Sequence, residues 1–149
     1  MQASVFAAVF AALFVAHSVG DHWVQSSAQS AAKGRPGWPG RLADAAHVLT
    51  LTATKVVVLL PVAVLLDLRL SAPAVAVGLA VDALTHWWAD RRSTLAWLAK
   101  VTGKSEFYRL GAPRPGRDDN PSIGTGAYAL DQSFHYLWLL IAALIIAHF

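Results

Sequence analysis

Nine ionisable side chains fall at helical spacings in this sequence: His17 and Asp21, Asp44 and His47, Asp82, His86 and Asp90, and Asp131 and His135. Residues three or four apart share one face of a helix, so four segments each aim a carboxylate and an imidazole in a common direction. Helical bundles build dinuclear metal centres from such sets projecting inward. Nitrogen and oxygen ligands without sulfur suit zinc first, and also manganese, iron or nickel. Ions held there could polarise a substrate oxygen and generate hydroxide near neutral pH. The expected metal ligands are His17, Asp21, His47, Asp82, His86, Asp131 and His135, with Asp21, Asp82 and Asp131 also placed for catalysis. A proton or ion relay, or plain interhelical hydrogen bonding, would use the same residues.

The chain that must position them has 149 residues, 56% hydrophobic and 14% charged. Soluble domains carry about 25% charged residues, and the mean hydropathy here is +0.46. Both argue against a soluble globule, and disorder needs the opposite composition. The absence of cysteine excludes disulfide frameworks, thiolate metal sites and cysteine nucleophiles. A net charge of +3 would suggest nucleic acid in a soluble protein. Basic cytoplasmic loops explain it in a membrane protein, and no nucleic-acid-binding motif is present.

A spanning helix needs about 20 mostly apolar residues. Four segments qualify, at about 3–24, 42–66, 74–89 and 127–148, predicting one all-α domain over 1–149: a polytopic membrane protein with four transmembrane helices in a bundle. No Lys or Arg precedes Lys33, so the first segment lacks the basic start of a signal peptide and reads as a retained span. A Pro/Gly-rich stretch from Gly34 to Gly40 and a tight turn at Asp67 to Leu70 separate the first three spans. The long loop 90–125 begins with Leu95, Leu98 and Val101 on one face beside Trp97, the pattern of a short interfacial helix.

Basic residues divide ten against one: Lys33, Arg35, Arg41 and seven in the long loop, against Arg69 in the turn. The positive-inside rule then places loops one and three in the cytoplasm and both termini outside, in a multi-pass protein of the cell inner membrane. All four Asp/His pairs fall toward the cytoplasmic ends of their spans. At 1.5 Å rise per residue, His17, Asp82 and His135 lie about 10 Å inside the interface, with Asp21, His86 and Asp131 a turn shallower. An ionisable group at mid-span costs about 2.5–3.5 kcal/mol to insert, so their alignment at one depth demands a purpose.

Further residues suit a substrate. Lys55 could pair with a site carboxylate or hold an anionic group, Gln132 lies on the Asp131 helix, and Arg114 and Arg117 stand among prolines and glycines where they could clasp a phosphate. Asp118 and Asp119 could join the metal site or neutralise those arginines, and a solvated basic loop explains the same residues equally. The functional expectation is a metal-dependent hydrolase on a lipid-linked or phosphorylated substrate, in contact with membrane lipid. The alternatives are a metal or proton transporter and a non-catalytic membrane partner; a homo-oligomer is compatible with each.

The run His17-Ser18-Val19-Gly20-Asp21 through Gln25, then His47, Asp82 to His86, and Asp131-Gln132-Ser133-Phe134-His135 resembles the bacterial membrane family called domain of unknown function 3307. The resemblance covers nearly the whole chain and implies a shared polar set of His17, Asp21, Gln25, His47, Asp82, His86, Asp131, Gln132 and His135. Its long loop and Asp-Gln helix are also similar to proteins of actinobacterial mobile elements, and its polar pattern distantly to membrane metal-dependent hydrolases. His22-Trp23 departs from the family pattern of Phe and a small apolar residue.

Overall fold

The structure is a computed structural model and describes residues 3–114, 116 and 124–149. Seven α-helices make up the fold, and no strand occurs among the described residues: α1 (Ala3–Val19), α2 (Ser27–Ala32), α3 (Gly37–Leu65), α4 (Ala72–Asp90), α5 (Ser93–Val101), α6 (Ser105–Tyr108) and α7 (Gly126–His148). A π-helical turn, Gly20–Val24, continues α1. Three of these segments are long and apolar enough to cross a membrane: Ala3–Val24, Gly37–Leu65 and Gly126–His148. They fit a membrane protein. The segment expected as the third span forms the helix α4, which is shorter than those three and carries Asp82, His86 and Asp90 on its buried face.

Each long helix buries one stripe. On α3 this is Gly40, Asp44, His47, Val48, Leu51, Lys55 and Leu59, the three-and-four spacing of a single helical face. The opposite face, with Leu42, Leu49, Val57, Leu60 and Val64, is exposed, as a lipid-facing surface would be. The helices form a ring in which α1 touches α3 and α7, and α4 touches the same two. Ring neighbours run antiparallel, since the end of α1 meets the start of α3 and the end of α4 meets the start of α7.

The two ends of this bundle differ in chemistry. At one end Val9, Ala12, Leu13, Leu59, Leu79, Leu139, Ala142, Ala143 and Ile146 form a continuous apolar core. At the other, the stripes turn polar. Lipid tails supply no hydrophobic drive between helices, so small residues that allow close approach carry more weight. Gly78 on α4 illustrates this: a Cβ there would lie 2.9 Å from the carbonyl oxygen of Ala142 and 2.6 Å from Ile146 Cγ1. Gly20 plays the same part between α1 and α3, facing Leu51 Cδ1.

The connections are more helical than their composition predicts. Loop one holds α2, started by a reciprocal capping box in which Ser26 Oγ accepts from the Gln29 N–H and Gln29 Oε1 accepts from the Ser26 N–H. Pro39 sits inside the first turn of α3, where a missing N–H removes no helical bond, so α3 starts five residues before the expected span. In the long loop, α5 buries Leu95 and Ala99. Trp97 and Val101 are 58% exposed, so the expected face of Leu95, Leu98 and Val101 is not the one that packs: Leu95 is paired with Ala99 one turn on. Thr125 caps α7 by accepting from the Tyr128 N–H.

Candidate metal centre

At the polar end the four helices deliver their imidazoles to one place. His17, His47, His86 and His135 are each 3% exposed or less. His86 lies at the centre, with ring centroids 5.4 Å from His17, 5.2 Å from His47 and 4.0 Å from His135, the last stacked. The Nε2 atoms of His47 and His86 stand 3.2 Å apart.

Carboxylates close around this pair. Asp21 Oδ1 is 3.1 Å from His47 Nε2 and 3.8 Å from His86 Nε2. Asp90 Oδ2 is 3.2 Å from His86 Nε2 and 3.5 Å from His47 Nε2. The other oxygen of Asp21 lies 3.4 Å from His17 Nε2. Asp21 reaches this position from the π-helical turn, in which Gln25 N–H donates to Gly20 O at 2.9 Å. Single π turns often occur at functional sites because the extra residue re-aims a side chain. Two groups among the described residues have the geometry to hold an ion: Asp21, His47 and His86, and His86, Asp90 and His135.

The register differs from the expected one by about a turn on α4. His86, not Asp82, is level with His17 and His135. Asp82 lies deeper and makes a buried ion pair with Lys55 of α3. It stands outside both ion-holding groups, and Lys55 is a partner for Asp82 instead of a group presented to a substrate. Asp131 also stands outside both groups, 3.5 Å from His135 Nε2 and 27% exposed. The residue that enters the centre without having been expected there is Asp90. Its signal was available, since it lies four residues beyond His86 on the same face.

Three cations compensate part of the buried charge. Lys33 Nζ lies 2.8 Å from Asp90 Oδ2, Lys55 pairs with Asp82, and Arg91 Nη1 lies 3.8 Å from Asp44 Oδ2. Arg91 also donates to the carbonyl oxygens of Lys33 and Arg35, tying loop one to the end of α4. Asp21 and Asp131 are left without a cationic partner among these contacts.

The centre adjoins a cleft of about 860 Å³ lined by Asp21, Gln25, Lys33, Asp90, Arg92, Tyr108, Arg109, Asp131 and Gln132, among others. Across its mouth His22 Nε2 lies 3.2 Å from the Tyr128 hydroxyl, while His22 Nδ1 bonds the Ser18 carbonyl. Burial, then the nearby Asp131 carboxylate, push the Tyr108 phenol above its usual value of 10.0, so it stays a neutral O–H donor. Arg114 is exposed beside this cleft; Arg117, Asp118 and Asp119 lie outside the described residues. His148 is exposed at the far end of α7.

No curated protein and no solved structure matches the chain. A family match covers residues 9–149 and so takes in every residue of the centre. The chain belongs to the family described as protein of unknown function (DUF3307).

Proposed function

We propose that the protein is a membrane-embedded, metal-dependent hydrolase whose single divalent ion, zinc by preference, is held by Asp21, His47 and His86, with the fourth position open to water. The observation that carries this reading is a set of distances. A tetrahedral ion about 2.0–2.1 Å from each ligand sets its ligand atoms about 3.3 Å apart. The three separations among Asp21 Oδ1, His47 Nε2 and His86 Nε2 are 3.1, 3.2 and 3.8 Å.

The two candidate groups share His86, and one imidazole nitrogen binds one ion, so a single ion is proposed. An ion held there would supply a water of lowered pKa, about 7, as nucleophile. Asp131, near His135 and partly open to the cleft, would take the proton that this water gives up on attack and return it to the leaving oxygen as its bond to the substrate centre breaks. The substrate is a lipid-linked or phosphorylated molecule entering through the cleft.

In this proposal α4 is the fourth span, α5 lies along the interface, loops one and three face the cytoplasm, and both termini face outward from the cell inner membrane. A transporter would need polar groups continuing past Lys55, whereas the side chains beyond it are the apolar core from Val9 to Ile146. Elemental analysis of the purified protein tests the reading. One zinc per chain, lost in His47→Ala and His86→Ala, is expected; a folded wild-type protein with no stoichiometric metal overturns it.

A further inference from the structure

The wall of the 860 Å³ cleft carries groups that an ion at the Asp/His centre does not use. Gln132 is 7% exposed, and its Oε1 has no hydrogen-bond partner; Gln25 Nε2 is likewise buried and unpartnered. Both residues line the cleft. An amide end removed from water without a partner is destabilising, so two of them facing one cavity point to a ligand with both donor and acceptor character. Arg92 and Arg109 line the same cavity. Among the described residues the Arg92 guanidinium makes one hydrogen bond, from Nη2 to the Ser30 carbonyl at 3.3 Å, and its backbone adopts a φ of 55° at the start of α5. The Arg109 guanidinium makes no hydrogen bond or ion pair among the described residues.

We infer that the cleft binds a phosphate ester as its dianion, with Arg92 and Arg109 on the phosphate oxygens and Gln25 and Gln132 on neighbouring ester or hydroxyl oxygens. Planar guanidinium groups bond phosphate oxygens in pairs, and a phosphate monoester carries close to two negative charges at pH 7. This deepens the proposed hydrolase reading by naming its substrate class, and one part rests on it. The carboxylates Asp21, Asp90 and Asp131 are balanced by Lys33, Arg92 and Arg109 around the cleft. The wall is therefore neutral without an ion and carries two positive charges with one, which a dianion cancels. Ion and phosphate then favour one another's binding, by the same factor in each direction. The phosphate could belong to a lipid headgroup or to a soluble ester, and the recognising chemistry is common to both.

The test uses the full chain in phosphatidylcholine nanodiscs, zinc-loaded or chelated, titrated with inorganic phosphate by calorimetry. Phosphate should bind the loaded protein at least about tenfold more tightly than the chelated one, a difference of about 1.4 kcal/mol. Gln25→Leu with Gln132→Leu should weaken binding of glycerol phosphate, which carries ester and hydroxyl oxygens, and spare inorganic phosphate; Arg109→Gln should weaken phosphate binding by about tenfold while zinc content stays unchanged. Arg92→Gln should do the same, and Arg109→Gln keeps the test open if the strained Arg92 position does not tolerate change. Discs doped with phosphatidic acid distinguish the sources: competition with phosphate assigns the lipid headgroup, and none assigns a soluble ester. A zinc-loaded wild type that binds no phosphate, or arginine variants that bind it undiminished, overturns this inference and leaves the metal reading intact. If the protein holds no zinc, the metal reading falls. Phosphate binding lost in Arg109→Gln would then still support the subsite, and no binding would overturn it too.

Discussion

Replacing Lys55 with Met separates two roles for Asp82, as a charge partner or as a metal ligand. Lys55 is fully buried and Asp82 is 3% exposed, and among the described residues their one ion pair is with each other. Lys55→Met keeps the apolar stem and removes the ammonium, leaving a carboxylate in a place where water does not reach. Removing one partner of a buried ion pair costs about 3–5 kcal/mol. For a chain near 150 residues each kcal/mol moves the melting temperature about 2–4 °C, so a fall of about 6–20 °C is expected. Removing both charges, in Lys55→Met with Asp82→Leu, should recover most of that loss, because a buried pair and a well-packed apolar pair are often close in stability. The assay is thermal unfolding in detergent across the four members of the cycle, with zinc measured in each. The double variant should keep its ion, since Asp82 lies outside the groups that can hold one. A double variant as unstable as the single one, or one that loses zinc while folded, would refute the pairing and return Asp82 to the metal centre.

Other outcomes follow from the same geometry. His47→Ala and His86→Ala should each abolish stoichiometric metal and lower the melting temperature of metal-loaded protein, while His148→Ala changes neither. Metal content should fall as pH drops, because imidazole binds an ion only when neutral and protons compete for it; retention at pH 4 would contradict nitrogen ligation. Gly78→Val should destabilise the α4–α7 contact by about 1–3 kcal/mol through overpacking, given the 2.9 Å approach of the Ala142 carbonyl oxygen; a neutral effect would mean the helices are not so close. Cysteines at Ser30, Ser71 and Ser105 report orientation: labelling by an impermeant reagent in intact cells is expected only at Ser71, and the reverse pattern inverts the topology.

The features legible in the sequence are those that depend on one helix at a time. The pairing of His17 with Asp21 or Asp131 with His135 needs only 3.6 residues per turn, and the apolar lengths around them need only composition. Axial register is different, because it is set between helices. Gly78 lets α4 settle against Ala142 and Ile146, and that placement decides that His86 and Asp90 meet His47 while Asp82 meets Lys55. No spacing within α4 carries this information. The π-helical turn at Gly20–Val24 is hidden for a related reason: one inserted residue leaves the composition unchanged yet rotates Asp21 toward His47. The capping box is the opposite case, since Ser26-Ser27-Ala28-Gln29 is a recognisable helix start, and α2 was there to be read.

In the four-span reading proposed above, the pairing of Lys55 with Asp82 also bears on how the chain enters a bilayer. Neither charge is compensated within its own helix, and α4, unlike the other three long helices, is not long and apolar enough by itself to cross a membrane. Presented alone to lipid, α4 would carry Asp82 deep in its length with no counter-charge, its nearest cations being Arg91 and Arg92 at its end. Presented with α3 as a hairpin across the short turn at Asp67, whose backbone φ of 48° reverses the chain, it arrives with Lys55 already opposite Asp82. The hairpin is then the smallest unit that can be released into the membrane with its deepest charges neutralised. α7, made after both, completes the polar end by bringing His135 against His86. Biogenesis of this protein is therefore expected to proceed by insertion of α3 and α4 together, with severing of the Asp67 turn more damaging to insertion than severing of the longer loop before α7.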